Sequence, residues 1–76
     1  MSDLTFGQRA VGLSFNPSKD KDVETIKQAY ADIIDHLHEL REEQPYGKEQ
    51  ARLASIAITQ AQDAQMWAVK AITWRE

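Results

Sequence analysis

Cysteine is absent from this chain of 76 residues, which excludes disulfide staples and thiolate sites for zinc or iron–sulfur clusters. Two histidines do not complete a structural metal cage, which takes four ligands. No run approaches the roughly 18–20 apolar residues of a membrane span. The opening Met1-Ser2-Asp3-Leu4-Thr5 has neither the basic nor the apolar region of a secretory signal. The expectation is a cytoplasmic protein with no membrane partner. A basic excess is also missing, since nine Lys and Arg face twelve Asp and Glu for a net charge of −3. Coating a nucleic-acid backbone takes many phosphate contacts and a basic field, so long nucleic acid is disfavoured as a partner. A small anionic ligand needs only a few converging cations and stays open.

What the chain does have is apolar helix in excess. Ala51, Ala54, Ala57, Ala61, Ala64, Ala68 and Ala71 recur by threes and fours, the spacing of one helical stripe. Leu53, Ile56, Gln60, Trp67 and Trp74 form a second stripe, and Ile58, Val69 and Ile72 a third. A helix apolar nearly all round has to be enclosed. Below roughly 80 residues one core seldom contributes more than about 3–5 kcal/mol, and small domains add disulfides, metals or partner subunits. With the first two excluded, self-association is the route left, and the expected partner is the chain itself.

Glycine and proline, three and two in number, punctuate a single domain of residues 1–76 without repeats. Thr5-Phe6-Gly7-Gln8 reads as a capping box opening a short helix over 5–10, kept short by Gly7 and Gly12. Pro17 pushes Asn16 out of the α region, so a loop follows and residues 1–18 precede the first long helix. That helix is expected over 19–43, beginning at Lys19 or Asp20. Val23, Ile26, Tyr30, Ile33, Leu37 and Leu40 form its heptad seam. Gln44-Pro45-Tyr46-Gly47 is a breaker, after which a second long helix covers 48–74. So short a turn folds the two long helices into an antiparallel hairpin. The fold class is all-α: a short N-terminal helix plus a two-helix hairpin. Pairing the two ridges leaves Trp67, Trp74, Ile72, Val69 and Ile58 short of cover. Burying each large side chain is worth roughly 1.5–3 kcal/mol, enough in sum to drive a multimer.

No nucleophile–base–orienter set presents itself: Ser2, Ser14, Ser18 and Ser55 sit in no elbow motif. The expectation is a protein that is not an enzyme and carries no cofactor or metal. His36 and His38 are two apart and face different ways, and Asp32 with His36 offers only half a metal site, so both histidines read as ordinary surface residues. Phosphate binding rests on Lys27, Arg9 and Lys70. Lys27 flanks the Ile26–Tyr30 seam close to the Phe15-Asn16-Pro17-Ser18 loop. An aromatic face and a point charge on the rim of a subunit junction suit a nucleotide. The competing reading makes Phe15 a hydrophobic staple on the first helical turn and pairs Lys27 with Glu24. Lys70 lies between Trp67 and Trp74, where a cation–π contact is sufficient explanation.

Val23-Glu24-Thr25-Ile26-Lys27, with Asp35 and Leu37 further on, resembles the first-helix pattern of small phage sponges that sequester the cyclic oligonucleotide messengers of bacterial CBASS defence. Ala64-Gln65-Met66-Trp67-Ala68-Val69-Lys70-Ala71 is similar to the second-helix signature of that family, Met-Trp-Ala followed by a basic residue and an alanine. The same hairpin recurs in sponges that oppose Thoeris defence, and the resemblance spans residues 15–74. It implies a hexamer of hairpins that binds without catalysis, with cyclic dinucleotides held between neighbouring subunits near the loop. It further implies that Phe15 stacks on a base and Lys27 meets phosphate, with Asn16, Pro17 and Arg9 beside them. Phenylalanine stands where tyrosine is expected, which removes a hydroxyl contact. A cyclic trinucleotide site at a three-fold junction is also implied, with Lys70 at its basic position. The alternative is a structural or regulatory hairpin oligomer acting through a protein partner.

Overall fold

The computed structural model describes residues 3–75, in which the regular elements are three helices: α1 (Phe6–Ala10), α2 (Lys21–Glu43) and α3 (Lys48–Thr73). The capping box at α1 is complete: Gln8 N donates to Thr5 Oγ1 at 3.1 Å, and Thr5 N donates to Gln8 Oε1 at 2.9 Å. This satisfies two amide donors that a helix start otherwise leaves orphaned. Helix α2 starts at Lys21, later than Lys19 or Asp20. Lys19 is in the left-handed region (φ 58°), and Asp20 serves as the cap, accepting from Asp22 N at 2.8 Å. The helix ends where Gln44 turns left-handed (φ 45°) and its amide donates to Leu40 O at 3.0 Å. Gly47, at φ 95°, then starts the return of α3 along α2. No described helix is long and apolar enough to cross a membrane.

Helix α2 is central and packs against both α1 and α3, and this corrects the predicted seam. The buried row is Val23, Lys27, Ala31 and Ile34, whereas Ile33 is half exposed. A heptad seam presumes one partner helix. Here α1 occupies a flank of α2 as well, so the buried row is the one both neighbours share. Close approach of α1 depends on Gly7, where a Cβ would collide with the Ala31 carbonyl. The Gly7 amide is bound by Asp35 Oδ1 at 2.6 Å. On α3 the hairpin buries Ala54 and Ile58, so Ile58 is covered, contrary to expectation. Val69 and Ile72 are partly covered. Phe6 stacks on His38 with ring centroids 4.1 Å apart, and Arg41 lies 5.3 Å over the same Phe6 ring. His38 is therefore a packing residue, while His36 is the ordinary exposed one.

The end of α1 lies over the hairpin, with Val11 in one buried cluster with Ala31, Ile34 and Ile58, and with Gln62 Nε2 donating to Ala10 O at 3.2 Å. The chain is thin, measuring 46 × 32 × 12 Å. Its radius of gyration of 13.7 Å exceeds the roughly 11 Å expected for this length. Its accessible surface, 5555 Å² for 8.7 kDa, exceeds the roughly 4,700 Å² of a typical folded monomer. Leu53, Ile56, Met66 and Trp67 on α3, and Trp74 just beyond it, remain exposed.

Candidate functional site

The site is built on the loop between α1 and α2. Gly12, at φ 65°, turns the chain after α1, and Leu13 N and Phe15 N bond back to Gln8 O and Gly12 O, each at 2.9 Å. Asn16 organises the next turn: its Oδ1 accepts from Ser18 Oγ at 2.7 Å and from Lys19 N at 3.1 Å. Its Nδ2 donates to Asp20 O at 3.0 Å. These bonds hold the loop over the start of α2 and leave Phe15 projecting, 71% exposed. Phe15 is thus no staple on the helix.

Lys27 comes up from beneath this loop. It sits on the buried row of α2, and its ammonium donates to the carbonyls of Gly12, at 3.0 Å, and of Phe15. It does not pair with Glu24, which is exposed. Burial pushes the Lys27 pKa below the ordinary lysine value of 10.5, because desolvation disfavours the charged form. The two carbonyls orient the ammonium within 5.6 Å of the Phe15 ring centroid. An ammonium carries three N–H donors, so two loop bonds leave one for a further acceptor. A cation and an aromatic face thus stand side by side.

Both residues line a cavity of about 500 Å³ between the loop, the start of α2 and the last turns of α3, within the size range of small-molecule sites. Asn16, Pro17 and Ser18 form its outer rim, and Gln65, Met66, Val69 and Thr73 form its α3 wall. Of the residues expected to act together, Phe15, Asn16, Pro17 and Lys27 are brought to one cavity. Arg9 is not among its lining residues. It is exposed on α1 and donates through Nη1 to Leu4 O at 2.7 Å. Lys70 lies apart with its ammonium 5.6 Å from the Trp67 ring, in a recess shared with Asp63 and Met66. No described group of three or more His, Asp or Glu side chains converges as a metal site.

Sequence reasoning missed the α3 wall, above all Gln65, which is 6% exposed. The signal was available: Gln65 follows Ile58 by seven and Ala61 by four, so a polar residue occupies the core-facing row of α3.

Residues 8–73 match the family model described as Acb2/Tad1, hairpin domain. No curated protein and no solved structure matches the chain.

Proposed function

Because this chain belongs to the Acb2/Tad1 hairpin family, the anti-CBASS and anti-Thoeris sponges, we propose that it captures cyclic oligonucleotide messengers one for one, without cleaving them. The setting is the cytoplasm of an infected bacterium, the gene is carried by a phage, and the consequence is that the CBASS effector is never switched on. The observation that carries this reading is the pairing of Lys27 with Phe15 in the wall of one apolar cavity. The ring supplies a stacking face for a base. Lys27, held by two loop carbonyls, supplies a pre-positioned donor and charge for phosphate, so little side-chain freedom is lost on binding.

A cyclic dinucleotide has two bases and two phosphates around one ring. Two subunits related by a two-fold axis would each take one half, with two Lys27 charges against two phosphate charges. The thin, surface-rich chain supports such assembly, and the reading is of a homo-hexamer. Its surface excess of roughly 800 Å² is about what one partner gives to a standard interface. Lys70, on the exposed Trp67 stripe, is the residue assigned to a second, cyclic trinucleotide site. The same exposed stripe, Leu53 to Trp74, also favours a second reading, a hairpin oligomer that acts by docking a protein partner.

Isothermal titration with a panel of cyclic di- and trinucleotides separates the two readings. Binding, followed by heat release of a messenger of unchanged mass, is the expected result. Recovery of linear nucleotide would remove the sponge reading, and absence of heat with the whole panel would favour the docking protein.

A further inference from the structure

Gln65 is the buried polar residue of α3, and its Oε1 has no hydrogen-bond partner among the described residues. Other glutamines find partners: Gln8 binds Thr5, Gln28 binds Asp32, Gln50 binds the Tyr46 amide and Gln62 binds Ala10 O. Buried polar side chains in folded proteins are nearly always paired, and an orphan calls for a reason. A Met or Leu at position 65 would fill the same space without that cost. The side chain also lies at a partition. It lines the Phe15–Lys27 cavity on one side and, on the other, a shallower recess formed with Ala10 and Gln62.

Resting on the sponge reading, we propose that Gln65 is a base-reading residue of the messenger site and that it reads an edge carrying a donor beside an acceptor, as adenine does at N6 and N7. A carboxamide presents an acceptor, Oε1, next to a donor, Nε2. Its complement is an edge carrying a donor beside an acceptor. Adenine shows such an edge at N6 and N7, a bidentate partner of glutamine; in an unpaired base the N1–H and O6 of guanine offer the same order, whereas a purine without the 6-amino group offers no donor. The terminal torsion of glutamine is broad, so the carboxamide can turn to present Oε1 to a ligand in the cavity that Gln65 lines. Phe15 lines the same cavity, so a base stacked on that ring enters the space that Gln65 borders. Stacking tolerates every base, and Lys27 reads only charge. Gln65 adds what both lack, a directional contact that distinguishes bases.

The test compares two ligands by calorimetry on the full chain at fixed salt: cyclic di-adenosine monophosphate, and its analogue in which one adenine is replaced by purine, which lacks the 6-amino group. Wild-type protein is expected to prefer the adenine compound roughly 10- to 100-fold, the range of a good bidentate pair. Gln65→Met is expected to bind both compounds alike and to melt no lower than wild type. Equal wild-type affinity for the two ligands would overturn the assignment, and so would a Gln65→Met protein that keeps the preference. The ligand comparison alone decides should the variant fold poorly. Wild-type protein that binds neither compound nor any other cyclic oligonucleotide would instead overturn the sponge reading, and this assignment with it.

Discussion

Lys27 donates from Nζ to the carbonyl oxygen of Gly12 at 3.0 Å, across fifteen residues of sequence. The bond ties the binding loop to the buried row of α2, so the cation is placed before any ligand arrives. Lys27→Met leaves the Gly12 and Phe15 carbonyls without their donor, and an acceptor left unpaired costs about 1–3 kcal/mol, so the variant is expected to keep the assembly and to melt below wild type. Losing a charge-assisted hydrogen bond of about 1.5–3 kcal/mol should weaken dinucleotide binding by at least about tenfold. Calorimetry and sedimentation on the same sample check both halves. Breakdown of the variant into smaller species would make Lys27 architectural.

The pKa of Lys27 gives a second expectation with a definite sign. Burial lowers it below 10.5, so between the lowered folded value and 10.5 the unfolded chain holds a proton that the folded chain has released. Stability then rises with pH through that window. The Lys27→Met protein, measured in parallel, lacks this increment. Binding moves the opposite way. A phosphate needs the charged ammonium, so affinity falls as pH climbs, and the fall starts below 10.5, earlier than for a solvated lysine. Melting curves and titrations at stepped pH read the two opposed trends directly.

A third expectation concerns Gly7, whose missing Cβ lets α1 lie against the Ala31 backbone. Gly7→Ala puts a methyl group into a carbonyl oxygen and separates the Gly7 amide from Asp35 Oδ1, its partner at 2.6 Å. Overpacking of this kind costs about 1–3 kcal/mol. The loss should appear as faster amide exchange across residues 6–13 before α2 or α3 is affected. Asp35→Ala acts on the same contact, so the double variant should cost less than the two single losses added together. Simple additivity would mean that α1 is held elsewhere.

The pattern of elements was legible in the sequence because each boundary has a local cause: Thr5 with Gln8, Asp20, the Pro45–Gly47 breaker. The register of α2 was not. Val23, Ile26, Tyr30, Ile33, Leu37 and Leu40 make an unbroken heptad, yet the buried row passes through Lys27 and Ala31. Hydrophobicity ranks Lys27 as a surface residue. What buries it is a pair of loop carbonyls contributed by residues far away in sequence. Gly7 read as a helix terminator for a similar reason, since its role depends on a neighbour that only the fold supplies. Phe15 and Lys27 were legible as a pair because the loop and the second turn of α2 are sequence neighbours. Gln65, on a helix that returns from the opposite end, was not.

Trp67 supplies the last expectation. It is 64% exposed on the subunit, where truncation removes little buried contact beyond the Lys70 ammonium 5.6 Å from its ring. Ile34, by contrast, is fully buried, and Ile34→Ala should cost about 2–5 kcal/mol of fold stability through lost transfer energy and a cavity. If copies of the chain cover the exposed α3 stripe, Trp67 becomes a central aromatic anchor, whose truncation costs about 2 kcal/mol or more per interface. Trp67→Ala should therefore shift the sedimentation profile towards smaller species at concentrations where Lys27→Met stays assembled. The helical content of the two variants should stay alike. A Trp67→Ala particle of full size, stable to dilution, would place the subunit contact away from this stripe, with Ile33 on α2, half exposed, as the next candidate. The α3 stripe would then be left free for a different protein.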